Sequence, residues 1–183
     1  MIAWAVYVRH AMPERRDDDD PDLWPLGPAG RAAAAELARR LHSEPAVGRV
    51  VASPAPKATQ TAEPIAARFG LDVVTDDRLV EAGRPWVGED YRVTAHRYVD
   101  GEPVEGWEPQ VDVAARVAAA VADARSAAGA GRSIVVGHGL ALAVHLRALL
   151  PNGFDAGGFW RRLAFPDAWE LDPDGLVLSR PLR

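Results

Sequence analysis

The chain has 183 residues, no Cys, 48% hydrophobic and 26% charged residues, and a formal net charge of -5. A chain this long builds one ordinary domain around its own core. The missing thiols exclude disulfide scaffolds, Cys-ligated zinc, iron–sulfur clusters and thiol catalysis, and the negative balance argues against non-specific nucleic-acid binding, which needs a cationic surface.

No apolar run is long enough to span a bilayer. The first apolar stretch, Ile2 to Val8, has no basic residue ahead of it and is too short for a signal peptide. The expectation is one cytoplasmic domain over residues 1–183, with neither nucleic acid nor membrane as partner.

Ile2 to Val8 has strand length and predicts a strand buried on both faces. It stops at Arg9-His10, and Pro13 disfavours regular structure beyond it. Asp17 to Asp20 form a self-repelling acidic loop that faces solvent. Leu26-Gly27-Pro28 opens a helix to about Leu41, with Leu37 and Leu41 on its buried stripe. Val47 to Ala52 reads as a second strand. A helix from about Lys57 to Phe69 closes at Gly70, with Pro64 as a possible kink. Leu71 to Val74 is a short third strand.

Residues 77–109 hold many Gly, Pro and Trp with weak periodicity, and predict a small cap insertion at about 82–109 rather than a second domain. Val113, Val117, Val121 and Ala124 mark a helix from about Val111 to Ala128, ended by Gly129-Ala130-Gly131. Ser133 to Val136 is a fourth buried strand, running through Gly137-His138-Gly139 into an apolar helix, Leu140 to Leu150. The tail predicts two strands, Ala168 to Leu171 and Leu176 to Leu178, around the turn Asp172-Pro173-Asp174-Gly175. Strands alternating with helices predict an α/β fold: a single three-layer domain with a mostly parallel central sheet flanked by helices.

His10 and His138 each follow a strand at its carboxyl end, the edge where open α/β sheets bind ligands. Alone, either reads better as a hydrogen-bonded cap of its strand. Together, and with Arg9 beside one of them, they make a plausible anion site. The segment Ser53 to Ala62 opens a helix near Lys57, where backbone N–H groups and the Lys57 charge would face an anion. A lone first-turn lysine reads as solvated, and a lone loop glutamate such as Glu81 as surface.

The pieces Val8-Arg9-His10-Ala11, Ser53 to Ala62, Leu79-Val80-Glu81 and Val136-Gly137-His138-Gly139, in this order, resemble the histidine phosphatase superfamily, the phosphoglycerate mutase-like proteins. The resemblance runs over nearly the whole chain. It implies a nucleophile at His10, a proton donor at Glu81 and a second histidine at His138, with Arg9, Lys57 and Gly139 binding phosphate. No cofactor and no metal are expected, because basic side chains supply the positive charge. Two positions depart from the family pattern. Ala11 replaces a glycine, a mild change. Lys57 stands where the family has an arginine, giving a point charge for a two-pronged grip.

The resemblance implies a metal-independent phosphatase that hydrolyses a small phosphomonoester through a phosphohistidine intermediate. A protein phosphohistidine phosphatase is the alternative among enzymes. A non-catalytic phosphate-binding module weakened by Lys57 is the alternative outside them. His145 reads as packing or surface, and His42 and His96 as exposed. Trp86, Trp107 and Tyr91 are candidates for a substrate mouth or for filling under loops. Arg84, Arg92 and Arg97 are candidates for a second anionic group of the substrate, and singly read as a solvated face. Sequence sets neither the substrate nor the oligomeric state.

Overall fold

A computed structural model describes residues 5–16, 20–43, 46–85, 90–150, 154–172 and 177–179. Strands β1 (Ala5–Arg9), β2 (Val47–Ala52), β3 (Val73–Thr75), β4 (Arg132–Gly137), β5 (Asp167–Asp172) and β6 (Val177–Ser179) form one sheet in the order β3-β2-β4-β1-β5-β6. β1, β2, β3 and β4 run parallel, and β5 joins antiparallel to both β1 and β6. The parallel strands need crossover connections, and the intervening helices supply them, as the alternating sequence pattern predicts.

Side chains alternate across β1. Val6 and Val8 pack on one face with Val50, Ile134 and Val136, under helices α1 (Pro28–Arg40) and α2 (Pro56–Phe69). Ala5 and Tyr7 pack on the other with Val135, under α3 (Tyr91–Val99), α4 (Gln110–Ala127), α5 (Gly139–Leu149) and α6 (Ala156–Arg162). This is the three-layer α/β domain expected. Every residue of β4 is buried, and its centre Ile134-Val135-Val136 is the apolar run that marks the strand in the sequence, while the buried Arg132 pairs with Glu170 at 3.0 Å.

Local signals explain most helix ends. Pro28 and Pro56 sit in first turns, where their missing N–H costs nothing. Gly70 closes α2 in the left-handed region at φ 66°. α2 runs on through Pro64 as one helix. A side chain at Gly30 would run into the Met12 carbonyl, so this glycine lets α1 press on the loop after β1.

The structure corrects the sequence at several places. Residues 2–4, where β1 was expected to begin, lie outside the described residues, and the strand extends through Arg9, one residue past the expected Val8. β3 lies at Val73–Thr75 rather than from Leu71. Two helices were not expected. α3 arises inside the segment read as weakly periodic, and α6 inside a segment to which the sequence assigned no element. α3 buries only Ala95, Tyr98 and Val99, too short a stripe to stand out. α6 contains Gly157-Gly158 and is held by tertiary bonds: Asp155 accepts from Gly158 N at 2.7 Å, and Asp100 from Gly157 N at 3.1 Å. Residues 17–19, Trp86 and the turn residues 173–176 lie outside the described residues. No helix among the described residues is long and apolar enough to cross a membrane.

Candidate active site

The carboxyl ends of β1, β2 and β4 converge on a cavity of about 210 Å³. Arg9, His10, Lys57, Glu81, His138 and Gly139 all line it, so the structure brings together every residue expected to act in catalysis or to bind phosphate, while Arg92, Arg97 and Trp107 lie outside this lining. Arg84, Tyr91, Trp24, Trp160 and Phe165 complete much of the wall.

Ladder bonds continue past the strand ends and fix the floor. His10 N donates to Gly137 O at 3.0 Å, and Ser53 N to Val136 O at 2.9 Å. The two imidazole rings meet edge to face, with centroids 5.1 Å apart. His10 Nδ1 lies 2.7 Å from the Ala11 carbonyl oxygen. A carbonyl only accepts, so Nδ1 carries the proton and Nε2 keeps its lone pair. Burial first, and then the competing charge of His138, holds His10 well below its ordinary range. His138 Nε2 bonds Ser53 Oγ at 2.8 Å. Burial, followed by the charge of Lys57, holds His138 well below its range too. Both rings are therefore neutral at pH 7.

Arg9 bridges the floor and one wall. Its Nη1 donates to Leu163 O at 2.8 Å, and its guanidinium carbon lies 3.4 Å from the Phe165 ring centroid. Burial pushes Arg9 down to about 10, against the pull of Glu81. A Cβ at Gly139 would lie 3.1 Å from Arg9 Nε and 3.3 Å from Trp160 Nε1. Gly139 thus provides close approach for the arginine. The Nε atoms of Arg9 and Arg84 are buried without a hydrogen-bond partner. An unsatisfied buried donor costs about 1–3 kcal/mol, so two of them on residues lining one cavity mark a place prepared for an anion.

Lys57 is buried in the first turn of α2. Its ammonium donates to Pro21 O at 2.6 Å and lies 3.5 Å from Asp22 Oδ1. Burial lowers its pKa, with Asp22 opposing. The position expected to hold phosphate therefore faces the cavity while tied to the short helical turn Pro21–Leu23. Asp20 caps that turn, accepting from Asp22 N at 2.9 Å.

Glu81 reaches the N-terminus of α5. Its Oε1 accepts from Ala82 N at 2.9 Å and Ala141 N at 2.8 Å, and Oε2 from Leu140 N at 3.3 Å. Oε2, with its single longer bond, is the oxygen with room for a proton.

Sequence reasoning did not single out Ser53, the partner of His138. The available signal was its place as the first residue past β2, at the same sheet edge as His10. It also missed Arg116 on α4. Arg116 Nη1 donates to Arg78 O and Val80 O at 2.8 Å, and Nη2 to Glu81 O at 3.1 Å. The same guanidinium grips Glu108 at 2.8 and 2.9 Å. No short-range sequence signal points to that clamp. Trp107 fills under the loops, stacked on Tyr91 and tilted against Tyr98. His145 is core, its Nε2 3.2 Å from Tyr7 OH. His42 and His96 are half-buried rather than exposed. Among the described residues no three His, Asp or Glu side chains gather as a metal-binding group.

Residues 6–168 match the model of the histidine phosphatase superfamily (branch 1). The chain belongs to that superfamily. It is 39% identical over 121 residues to an uncharacterised protein of Mycobacterium tuberculosis, a match spanning 60% of this chain and 58% of that one. It is 29% identical over 155 residues to a probable phosphoglycerate mutase of an Enterobacter species, spanning 75% of this chain and 68% of that one. Its fold superimposes on the mycobacterial glucosyl-3-phosphoglycerate phosphatase with a TM-score of 0.73 at 23% identity, covering 98% of this chain and 97% of that one. The inorganic phosphate complex of that phosphatase gives 0.69 at 25% identity, covering 97% and 95%.

Proposed function

We propose that this chain hydrolyses a small phosphomonoester through a phosphohistidine on His10. The carrying observation is the His10 tautomer: Nδ1–H is spent on the Ala11 carbonyl, which leaves the Nε2 lone pair for phosphorus. Burial keeps that ring neutral and nucleophilic. Arg9, Lys57 and Arg84 give the cavity positive charge for the equatorial phosphoryl oxygens.

Nε2 attacks phosphorus, and the bond from phosphorus to the ester oxygen breaks. Glu81, in its acid form, gives its proton from Oε2 to the departing alkoxide. Water then attacks the phosphohistidine, the N–P bond breaks, and Glu81 takes the water proton. Inorganic phosphate leaves. His138, held by Ser53, stabilises the charge spread over the phosphoryl group. The metal-free character is part of this reading, since the cations are side chains. The phosphate-bound relative and the family's phosphatase and mutase members support phosphoryl chemistry at this cavity.

The test is an aryl phosphate mixed briefly with enzyme and quenched. An acid-labile, base-stable phosphoenzyme is expected in the wild type and absent in His10→Ala, whose turnover falls below a few per cent. Activity should persist in excess chelator and fall with vanadate. Glu81→Gln should cripple alkyl phosphates and spare aryl ones, whose leaving groups need no acid. The Lys57 ammonium, already committed to Pro21 O and Asp22, favours one competing reading, a phosphate-binding module without turnover. Phosphate binding without phosphoenzyme or hydrolysis would establish it.

A further inference from the structure

The two histidines of the cavity are held by opposite nitrogens. His10 gives its Nδ1 proton to the Ala11 carbonyl at 2.7 Å. His138 is held through Nε2, 2.8 Å from Ser53 Oγ. Which of these two atoms donates decides where the His138 proton sits.

Ser53 is the first residue past β2 and is fully buried. Its N donates to Val136 O at 2.9 Å, so the ladder that carries His138 also sets the hydroxyl beside the ring. Among the described residues the hydroxyl meets two groups: Ala55 N, which donates to Oγ at 3.3 Å, and His138 Nε2. An N–H accepts nothing, so the ring nitrogen is the acceptor open to the hydroxyl. Were Nε2 itself protonated, the Ser53 hydrogen would have no partner, and an unsatisfied buried donor costs about 1–3 kcal/mol. The bond therefore runs from Oγ–H to Nε2. Burial and the neighbouring cations keep the ring neutral, with a single proton to place, and that proton is on Nδ1. His138 stands at the N-terminus of α5, yet its side chain makes no cap bond to the helix. Among the described residues Nδ1–H thus has no protein partner, on a residue that lines the cavity.

We infer that Ser53 is a positioning residue that fixes the His138 proton on Nδ1, so that this ring offers phosphoryl oxygens an N–H donor where His10 offers phosphorus a lone pair. The two rings carry the same tautomer and are turned opposite ways, one by a carbonyl and one by a hydroxyl. The inference rests on reading the cavity over His10 as the phosphoryl site.

Proton–nitrogen correlation spectra of the protein labelled with nitrogen-15 at its histidines read the tautomer directly, with His138→Ala assigning the signals. The wild type should show a protonated Nδ1 and a lone-pair Nε2 at His138. Inorganic phosphate should move that Nδ1 proton downfield as it accepts the bond. Ser53→Ala deletes one oxygen. The Nε2–H form should then appear, because a neutral imidazole left to itself favours it. Phosphoenzyme formation should slow by about 10²-fold, the scale of one lost transition-state donor, in a protein whose circular dichroism and melting match the wild type. Added to His138→Ala, Ser53→Ala should cost almost nothing more, because it acts through that ring. A wild-type His138 protonated on Nε2, or on both nitrogens, overturns the inference. So does an Nδ1 proton indifferent to phosphate, or a Ser53→Ala loss additive with His138→Ala. A wild type that forms no phosphoenzyme while phosphate still moves the Nδ1 proton would sink the phosphatase reading and leave the donor assignment standing.

Discussion

His10 and His138 hang from the neighbouring strand ends of β1 and β4, where His10 N bonds Gly137 O and Ser53 N bonds Val136 O to continue the ladder. Lys57 and Glu81 reach the same cavity another way: each is held by backbone groups from a distant segment, Pro21 O for Lys57 and Ala141 N for Glu81. The floor is thus positioned by the sheet and the walls by pairings between loops. Substituting a floor residue should remove chemistry while the scaffold stays put. Substituting a wall residue should change orientation and selectivity.

After the nucleophile His10 itself, the largest effect should follow from removing His138. Its ring sits 5.1 Å from that of His10 and is almost fully buried. His138→Ala should lower kcat by about 10²–10³-fold, the loss of one positioned transition-state donor. Single-turnover kinetics reads whether phosphoenzyme formation is the step lost. A wall substitution such as Arg84→Gln that costs more than His138→Ala would break the comparison.

The floor also sets a pH dependence. His10 and His138 are held neutral by burial, and burial lowers His145 beneath the sheet to about 4. Between the unfolded value of about 6.5 and these lower folded values, the unfolded chain binds protons that the folded chain does not. Stability is therefore complete above about pH 6.5 and is lost as pH falls. By pH 4 the loss from His145 alone is on the order of 3 kcal/mol. Urea titrations from pH 7 to pH 4 measure it, and His145→Gln should flatten part of the slope. The acid limb of kcat/KM should lie well below pH 6.5, because His10 stays neutral there.

The same division decides what was legible in the sequence. A buried strand writes its own pattern within a few residues, so β2 was read to its ends and β4 nearly so, and the histidines after β1 and β4 were found beside them. Lys57 and Glu81 were found because the resemblance supplied their motifs, not because their spacing shows a cavity. Arg116, Trp160 and Phe165 were missed because their roles come from packing between segments far apart in the chain. α6 was missed for the same reason: Gly157 and Gly158 disfavour a helix locally, and side chains of Asp100 and Asp155 restore it.

Lys57 tests the walls at the larger of the two expected departures from the family pattern. If the ammonium leaves Pro21 O for the phosphoryl group, Lys57→Ala should lower kcat/KM by about 10²-fold. Lys57→Arg should raise it, by restoring a fork, provided the cavity accepts the larger head. Asp22→Asn, which removes the charge 3.5 Å away, should lower KM for the phosphoester. Steady-state kinetics on one aryl phosphate decides among these outcomes. A silent Lys57→Ala would remove Lys57 from the site and leave its bond to Pro21 as a latch on the loop.

The smallest expected effect comes from Arg116, which touches no substrate. One guanidinium holds the carbonyls of Arg78, Val80 and Glu81 and both oxygens of Glu108, while Glu108 also accepts from Gly83 N at 2.9 Å. The backbone on both sides of Glu81 is therefore tied to a single side chain on α4. Arg116→Met should let the Glu81 carboxyl drift from the leaving-group oxygen and lower kcat on alkyl phosphates by about tenfold, because proton transfer is sensitive to sub-ångström placement. KM should barely move, and aryl phosphates should be spared. Stability should also fall, since charge-assisted bonds worth about 1.5–3 kcal/mol are lost. Arg116→Lys should recover little, because one ammonium cannot span these acceptors. Combined with Glu81→Gln, Arg116→Met should add almost nothing on alkyl phosphates, because the group it positions no longer carries a proton to give. Equal losses on alkyl and aryl substrates, additive with Glu81→Gln, would make the clamp a fold element with no part in placing the acid.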